Sequence, residues 1–247
     1  MKRWFWRIFV LVDLVILLVV GGFVFWAQNT APLETEAEAA LWGTDMVDVV
    51  DGEWLIFQPR VGEVTTGFII YPGGRVDYRA YAPLAQDVAA EGYLAVIVPM
   101  PLNLAVFDSL AAAQVVAAFP NIEHWVIGGH SLGGAMAAQY TVENQNLMDG
   151  LVLWASYPAG SADLSGWDGE VVSIYGTRDG VAAVEDVLAG EALLPESAVF
   201  VPIEGGNHAQ FGWYGSQSGD LEAEIAHEEQ RALTVAATLE LLAQVEE

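Results

Sequence analysis

The sequence predicts an α/β fold with a mostly parallel central sheet flanked by helices, preceded by one N-terminal transmembrane helix. Three observations predict it. Short apolar runs alternate with longer helix-like segments over residues 54–245, which is the pattern of strand–helix–strand units. A nearly unbroken apolar run, residues 8–26, precedes them. The 247 residues are 54% hydrophobic, which excludes a disordered or collagen-like chain and is enough for one sizeable core.

The predicted strands are short runs rich in aliphatic and β-branched residues, bounded by turn-forming residues. The second run closes on a glycine-rich turn at Gly73, and Pro99 ends the third run. In chain order, strands are predicted at residues 54–58, 67–71, 94–98, 125–127, 151–155, 171–175 and 198–203.

The predicted helices are longer segments with helical spacing of their apolar residues. The alanine-rich helix at residues 104–119 is expected to end at Pro120, because proline cannot continue a helix. In chain order, helices are predicted at residues 81–91, 104–119, 132–143, 182–188 and 228–245.

The N-terminal apolar run, residues 8–26, is long enough to cross a bilayer once, since at ~1.5 Å per residue it measures about 28 Å. Basic residues precede it, which predicts a cytoplasmic N-terminus and an extracytoplasmic remainder, and tryptophans lie near both ends. These residues are Lys2, Arg3, Arg7, Trp4, Trp6 and Trp26. A cleaved signal peptide is the alternative, but the run exceeds the usual length of such a segment. Asp13 is expected to reach towards the N-terminal interface.

The charge distribution excludes one class of partner. Residues 31–247 hold 32 acidic residues against five arginines and no lysine, a formal charge of −27. Such a field repels phosphate backbones, so nucleic-acid binding is not expected. The chain has no cysteine, which excludes disulfides and thiolate chemistry. We expect residues 1–27 to be the membrane anchor, residues 28–45 a linker and residues 46–247 the α/β domain, whose function the motifs below indicate.

Three turns after predicted strands carry chemically useful residues. The turn after residues 125–127 reads GGHSLGG, the one after 171–175 reads GTRDG, and the one after 198–203 reads EGGNHAQFG. Strand-to-helix turns gather at the carboxyl edge of a parallel sheet, where ligands bind. The sequence therefore predicts that a serine, an aspartate and a histidine lie at this edge.

The segment Gly129-His130-Ser131-Leu132-Gly133 fits the G-x-S-x-G pattern. In that pattern a serine occupies a sharp strand-to-helix turn and exposes its hydroxyl. Glycines flank it because side chains at those positions would collide across so tight a turn. An apolar strand before the segment and an alanine-rich helix after it strengthen the prediction of a nucleophilic serine.

With this motif the chain resembles the α/β-hydrolase fold family over residues 54–245, and within it the small dienelactone-hydrolase-like branch. The resemblance implies a nucleophile, an acid and a histidine in that chain order, each after its own strand. Ser131, Asp179 and His208 occupy those places. Dienelactone hydrolases proper have a cysteine nucleophile, whereas this chain offers serine, so their substrate is not carried over.

The chemistry explains why these residue types are needed. A serine hydroxyl is a poor nucleophile, so a histidine must accept its proton, and a carboxylate orients the imidazole. Three other acids are weaker candidates because they fall in a helix or an irregular loop: Asp163, Asp168 and Asp186. Of the remaining histidines, His130 adjoins Ser131 but its side chain is expected to point away from the hydroxyl, and His124 and His227 are expected to be surface residues. No pair of them has the spacing of metal ligands. Neither a metal nor a cofactor is predicted.

Acyl transfer also needs N–H donors for a tetrahedral oxyanion. The amide after the nucleophile, that of Leu132, is one expected donor. The second is expected from Gly73 or Gly74 in the turn after residues 67–71, since glycine lets backbone approach a substrate closely. Two roles are open for Arg75, the next residue: a contact with substrate or a surface ion pair.

Few residues separate the strand at 151–155 from the next one, so a shallow pocket with a minimal lid is expected. Aromatic residues are candidate walls, with ordinary core packing as the alternative for each. They are Trp154, Tyr157, Trp213 and Tyr214, and the loop 210–227 is expected near the entrance.

Together these observations predict a membrane-anchored serine hydrolase that cleaves a small ester-like molecule, a carboxylic ester or lactone, through an acyl-enzyme. Acyltransferase, thioesterase and peptidase reactions remain alternatives, because the same triad serves them all. A non-catalytic binding or accessory protein on the same fold is a further alternative, and a cofactor-free haloperoxidase-like activity is another. The lipid bilayer, through residues 8–26, is the expected partner, and no protein partner is predicted.

Overall fold

A computed structural model of the chain describes residues 2–246. Met1 and Glu247, the ends of the predicted anchor and catalytic domain, lie outside the described residues. Helix α1 spans Lys2–Gln28 and projects from the remaining elements, with its apolar side chains exposed from residue 4 through most of its length. The helix is long and apolar enough to cross a membrane. This agrees with the apolar run at residues 8–26.

The sheet has eight strands, and seven of them correspond to the predicted runs. The spatial order is β1-β2-β4-β3-β5-β6-β7-β8, and the strands from β4 to β8 are parallel to one another. β2 pairs antiparallel with both β1 and β4. The strands are β1 (Val47–Asp51), β2 (Leu55–Pro59), β3 (Thr66–Tyr71), β4 (Leu94–Ile97), β5 (His124–His130), β6 (Gly150–Trp154), β7 (Glu170–Gly176) and β8 (Val199–Ile203).

Helices cover both faces of the sheet, which confirms the predicted α/β class. They are α2 (Thr35–Ala40), α3 (Ala82–Ala90), α4 (Ala112–Ala118), α5 (Leu132–Glu143), α6 (Val184–Ala189) and α7 (His227–Gln244). Side chains alternate along β3: Phe68 and Ile70 pack towards α3 and α7, while Ile69 packs towards α4 and α5. Because both faces are covered, the central strands are apolar throughout rather than alternating with polar residues.

The predicted helix at residues 104–119 is wrong over its first half. Only α4 is α-helical there, and 3₁₀ turns at Pro101–Asn103 and Ala105–Phe107 precede it. The buried Tyr71 hydroxyl donates to the carbonyl of Ser109 at 3.0 Å and accepts from the amide of Ala112 at 2.7 Å. These bonds hold the backbone in an irregular path, so alanine content alone does not extend the helix.

Two elements escape the sequence pattern. β1 lies at the sheet edge and carries two aspartates, so it lacks an apolar run. α2 lies in the segment predicted as a polar linker, yet its Ala37 and Ala40 are buried against α3. The polar side chains of α2 face solvent, which explains the linker-like composition of this segment.

The order of the strands locates a cleft. From β3 the chain crosses to β4 on one side, whereas β5 lies on the other side of β3. In open parallel sheets the crevice at such a switch point receives ligands. The Gly73 turn follows β3 and Ser131 follows β5, so both lie at the carboxyl edge of this crevice.

Candidate active site

Ser131 stands in a strained turn between β5 and α5. Its backbone angles are φ 52° and ψ −122°, a left-handed conformation that side chains rarely adopt. The Ser131 amide donates to the carbonyl of Trp154 at 2.9 Å, which ties the turn to β6. The Ser156 hydroxyl donates to the Ser131 carbonyl at 2.7 Å. These bonds hold the strained backbone, and strain of this kind is typical of a nucleophile turn.

The glycines of the motif are required by contact with backbone. A Cβ atom on Gly129 or on Gly133 would collide with the carbonyl oxygen of Tyr71. A backbone oxygen in the sheet cannot move aside as a flexible side chain can. The turn can therefore lie against the end of β3 only with glycine at both positions.

His208 and Asp179 form a buried hydrogen-bonded pair. Nδ1 of His208 lies 2.7 Å from Oδ2 of Asp179, and neither side chain has exposed surface. The other carboxylate oxygen, Oδ1, accepts the amides of Val181 at 2.8 Å and Ala182 at 2.7 Å. Because a carboxylate only accepts hydrogen bonds, the proton between the pair belongs to Nδ1, and Nε2 is left with its lone pair.

The pair lies at the edge where the turns were predicted to gather. Asp179 follows the end of β7 and His208 follows the end of the neighbouring β8. Asp220 fixes the backbone of the histidine loop, since its carboxylate accepts the amides of His208 at 3.3 Å and Ala209 at 2.8 Å. The three weaker candidate acids, Asp163, Asp168 and Asp186, are exposed, and within residues 2–246 none of them bonds His208.

The bond that would complete a triad is open in this structure. Within the described part of the chain, Nε2 of His208 is buried and has no hydrogen-bond partner, Ser131 included. The His208 ring lies 4.3 Å, centroid to centroid, from the ring of His130, the residue that precedes Ser131. Hydrogen bonds between catalytic groups are often long without substrate and shorten in the reactive complex.

Comparison with known proteins identifies the family of the chain. A sequence model described as the alpha/beta hydrolase family matches residues 67–232, more than half of the chain. The chain belongs to the alpha/beta hydrolase family. No curated protein matches the chain in sequence. The match begins in β3 and ends within α7, so it includes all three residues of the predicted triad.

Solved structures show the same fold. MGS-MChE2, an alpha/beta hydrolase enzyme from the metagenome of sediments of the Mar Chica lagoon in Morocco, is 21% identical, with a TM-score of 0.54 over 68% of this chain and 91% of that one. Est1E from Butyrivibrio proteoclasticus is 12% identical, with a TM-score of 0.57 over 81% of this chain and 100% of that one. A predicted CIB-like hydrolase from Thermoplasma acidophilum is 15% identical, with a TM-score of 0.55 over 77% and 95%.

A hydrogen-bonded network joins the serine turn of the hydrolase to the Gly73 turn. The Gly73 amide donates to the hydroxyl of Tyr81 at 2.9 Å, and that hydroxyl lies 2.8 Å from Nδ1 of His130. Burial raises the pKa of Tyr81, so its hydroxyl keeps its proton and donates it to His130. Burial, reinforced by nearby His208, lowers the pKa of His130 well below its usual value. His130 is therefore a neutral acceptor.

This network limits which of the predicted amides can donate to an oxyanion. The Gly73 amide is already engaged by Tyr81. The amides of Gly74 and Leu132, by contrast, have no acceptor within residues 2–246. A Cβ on Gly74 would lie 3.0 Å from Cδ2 of Leu132, so the two residues are neighbours at the start of α5. The positive end of that helix adds to the field of the two free amides.

A cleft of about 300 Å³ opens at the serine. Tyr157, more than a third exposed, is the one predicted wall residue that lines it. The other lining residues are Ser131, Leu132, Ala135, Ala155, Ser156, Ala159, Val181 and Ala182. A larger, polar cavity of about 510 Å³ adjoins the histidine loop at Asn207 and Gln210, but Ser131 does not line it. Small apolar side chains therefore form most of the wall beside the serine.

Trp154 and Trp213 were predicted as walls, but the structure places both in the core. Trp154 is fully buried; it packs on Phe68 and donates from Nε1 to the hydroxyl of Thr238 at 3.2 Å. Trp213 is 1% exposed and stacks on His227 at 3.8 Å between ring centroids. Tyr214, also predicted as a wall, is buried as well. Both tryptophans pack with the cluster that includes α7, and this placement depends on tertiary packing that the pattern of apolar residues does not reveal.

Arg75 does not face the cleft. Its Nε donates to the carbonyl of Trp26 at 3.0 Å and its Nη2 to the carbonyl of Asn29 at 3.1 Å. The guanidinium also lies 4.3 Å above the Trp26 ring. Within residues 2–246 Arg75 forms no ion pair, and it does not line the cleft, because its guanidinium donates to one carbonyl in the last turn of α1 and to another just after that helix.

Two residues whose hydrogen bonds hold this site together were not predicted from the sequence. Tyr81 joins the two turns, but its position at the start of an amphipathic segment gave no signal for that contact. Asp220 holds the histidine loop, but it lies in a long irregular segment. The loop 210–227 was singled out only for its place near the entrance.

Proposed function

We propose that the chain is a membrane-anchored serine hydrolase that cleaves a carboxylic ester or lactone through an acyl-enzyme on Ser131. The observation that supports this most directly is the buried pair of His208 and Asp179, 2.7 Å apart, beside the strained serine turn. Burying such a pair costs free energy, because both side chains lose their hydration. Here Nε2 of His208 has no partner within residues 2–246, and the His208 ring lies 4.3 Å, centroid to centroid, from the ring of His130, which precedes Ser131.

In the proposed reaction the Ser131 oxygen attacks the carbonyl carbon of the ester while its proton passes to Nε2 of His208. The tetrahedral intermediate collapses, the bond to the alcohol oxygen breaks, and His208 returns the proton to that oxygen. Water then attacks the acyl-enzyme in the same way. Its proton passes to His208 and on to the Ser131 oxygen, which releases the carboxylic acid and restores the serine. In a lactone the alcohol and the acid remain in one molecule.

Asp179 is proposed to hold the imidazole ring in the reactive tautomer. One of its oxygens accepts from Nδ1 of His208, and the other is occupied by the amides of Val181 and Ala182. The carboxylate therefore cannot rotate without breaking backbone bonds. In this position it also stabilises the imidazolium that forms when His208 accepts a proton.

The oxyanion is proposed to be received by the amides of Leu132 and Gly74. Within residues 2–246 neither amide has an acceptor, and the two residues are neighbours, since a Cβ atom on Gly74 would lie 3.0 Å from Cδ2 of Leu132. The Gly73 amide is instead proposed to fix the turn through Tyr81. Preorganised amides of this kind stabilise the charge that develops in the transition state.

The small apolar wall of the cleft and the acidity of the chain favour a neutral acyl group over an anionic one. An ester needs less activation of its leaving group than an amide. None of the residues that line the cleft favours a transferase or a thioesterase over a hydrolase that uses water. A non-catalytic accessory role would not account for the buried pair of His208 and Asp179.

We further propose that α1 spans the membrane with its N-terminus in the cytoplasm and the catalytic domain outside. Its length and exposed apolar surface support this, as do the basic residues that precede the run. The proposed parts are residues 1–27 as the anchor, 28–45 as the connecting segment and 46–247 as the catalytic domain. Within the connecting segment, α2 packs on the catalytic domain.

The test is covalent labelling by a fluorophosphonate, read by intact mass. The native chain is expected to gain one phosphonyl group, and Ser131→Ala is expected to gain none. Ser161→Ala is the control, since the exposed Ser161 hydroxyl bonds Gln139 and Ser161 does not line the cleft; it is expected to be labelled. A folded native chain that is not labelled would favour the accessory role, and labelling of Ser131→Ala would place the nucleophile elsewhere.

A further inference from the structure

An exposed apolar segment lies between β4 and α4. We call residues 101–110 the apolar loop. Val106, Phe107 and Leu110 are each about half exposed, at 49%, 52% and 51%. The loop contains one charged residue, Asp108. Large apolar side chains grouped in this way on a surface mark a contact with another apolar body.

The apolar loop is joined to the end of α1. The Phe107 ring packs edge-on against Phe23, with 6.2 Å between ring centroids. Nδ2 of Asn103 donates to the carbonyl of Ala27 at 3.3 Å. Arg75, which bonds the last turn of α1, also donates its own amide to the carbonyl of Asn103 at 2.7 Å. The anchor and the loop therefore form one continuous surface.

The contact with Phe23 fixes the depth of the loop. Phe23 precedes Trp26 by three residues, which is about 4.5 Å along a helix and lies on the membrane side of Trp26. Tryptophans near the ends of a spanning helix occupy the headgroup region. If α1 spans the bilayer, Phe107 reaches the level where headgroups meet acyl chains. The position of the loop against α1 therefore indicates that lipid covers its exposed side chains.

The same loop borders the proposed oxyanion site. The turn Ala105–Phe107 packs on α5, whose first residue is Leu132. Cδ2 of Leu104 would lie 3.6 Å from a Cβ atom on Gly74. The Tyr71 hydroxyl donates to the loop carbonyl of Ser109 and accepts the amide of Ala112 at the start of α4, so the end of the loop is tied to β3.

We infer that the apolar loop rests on the bilayer surface and holds the catalytic cleft there, so that the substrate is an amphiphilic carboxylic ester whose chain remains among the lipids. This inference rests on the proposed function. The apolar side chains of the loop enter the lipid boundary beside α1. The neutral cleft wall and the acidic remainder of the domain suit an uncharged acyl group drawn from that boundary.

The chain has no cysteine, so single cysteines can be introduced into the full-length protein and labelled with an environment-sensitive fluorophore. The protein is placed in phosphatidylcholine vesicles, and quenching by spin-labelled acyl chains is compared with quenching by iodide. Val106→Cys and Phe107→Cys report on the loop, and Leu17→Cys reports on the anchor. Val61→Cys is the control, because it is 67% exposed and precedes β3 at the opposite edge of the sheet.

The inference expects both loop labels to be quenched by lipid and protected from iodide, as the Leu17 label is, with the Val61 label showing the reverse. Loop labels as open to iodide as the Val61 label, beside a protected Leu17 label, would overturn the inference and leave the anchor intact. An iodide-accessible Leu17 label would overturn the anchor and the inference together.

A second experiment tests the substrate class. Val106→Asp, Phe107→Asp and the control Val61→Asp are assayed on a dodecanoyl ester in vesicles and on a soluble acetate ester. The ratio of vesicle to soluble activity is expected to fall about tenfold for the loop variants and to stay at the native value for the control. An unchanged ratio in the loop variants would overturn delivery from the bilayer. A native chain that hydrolyses neither ester would overturn the proposed function as well.

Discussion

The hydroxyl of Tyr81 lies 2.8 Å from Nδ1 of His130 and accepts the amide of Gly73 at 2.9 Å. One buried phenol thus joins the turn that carries Ser131 to the turn that carries the free Gly74 amide. The position of the proposed oxyanion donors relative to the nucleophile depends on this bond.

Tyr81→Phe is expected to lower the free energy of unfolding by about 1–3 kcal/mol, since it leaves the Gly73 amide and His130 without their buried partner. Urea unfolding at neutral pH measures it. Tyr78→Phe is the control, because the Tyr78 hydroxyl bonds Asp51 at an exposed site, and its change is expected to stay within about 0.5 kcal/mol. Equal losses in the two variants would contradict a structural role for the network.

Asp179→Asn is expected to reduce kcat on a soluble ester by roughly 10³- to 10⁴-fold, because an amide donor favours the imidazole tautomer whose Nε2 cannot accept the serine proton. Steady-state kinetics measure this. The variant should still bind substrate, so KM is expected to change little. Asp186→Asn, at an exposed position in α6, is the control and should keep native turnover. Native rates in Asp179→Asn would move the acid elsewhere.

The pH dependence of stability is expected to contain a contribution from His130. Burial and the neighbouring His208 lower its pKa in the folded chain, so the unfolded chain binds its proton first as pH falls. Above the ordinary histidine pKa of about 6.5, His130 is neutral in both states and leaves the free energy of unfolding independent of pH. Below that pH the free energy of unfolding falls, by at most about 1.4 kcal/mol per pH unit, because the unfolded chain takes up a proton that the folded chain does not.

Denaturant unfolding at pH 7.5 and pH 5.5 checks this expectation for the native chain and for His130→Asn. The native chain should lose more stability between the two pH values than the variant does. His227 is partly buried and its pKa is also lowered by burial, so it contributes in the same direction in both chains. Equal losses in the two chains would show that His130 does not titrate as proposed.

Anchoring by α1 is expected to survive alkaline extraction. The full-length chain should remain in the membrane pellet after an alkaline wash, because α1 is apolar and most of its side chains are exposed, so that a bilayer would cover them. A chain that begins at residue 31 should appear in the soluble fraction. Release of the full-length chain would contradict a membrane span, and an intact mass that lacks the N-terminal residues would indicate a cleaved signal peptide instead.

From the sequence alone we could predict the class of fold, the positions of seven of the eight strands along the chain, and the glycine pattern around Ser131. These features are local: a strand or a tight turn is specified by neighbouring residues, through periodicity and through the absence of side chains at Gly129 and Gly133. The places of Asp179 and His208 after their strands could also be predicted, because parallel strands bring their carboxyl ends to one edge.

Which side chains come into contact depends on tertiary packing and could not be predicted from the sequence. Tyr81 and His130 are far apart in sequence, and nothing in either segment specifies their contact. The same is true of Arg75, whose acceptors lie at the end of α1 and just after it. It is also true of Trp154, which faces the core although Ala155, the next residue, lines the cleft. Such contacts depend on how helices and strands pack and on the register in which the strands pair. The core residues together specify this packing, and no short local pattern in the sequence does so.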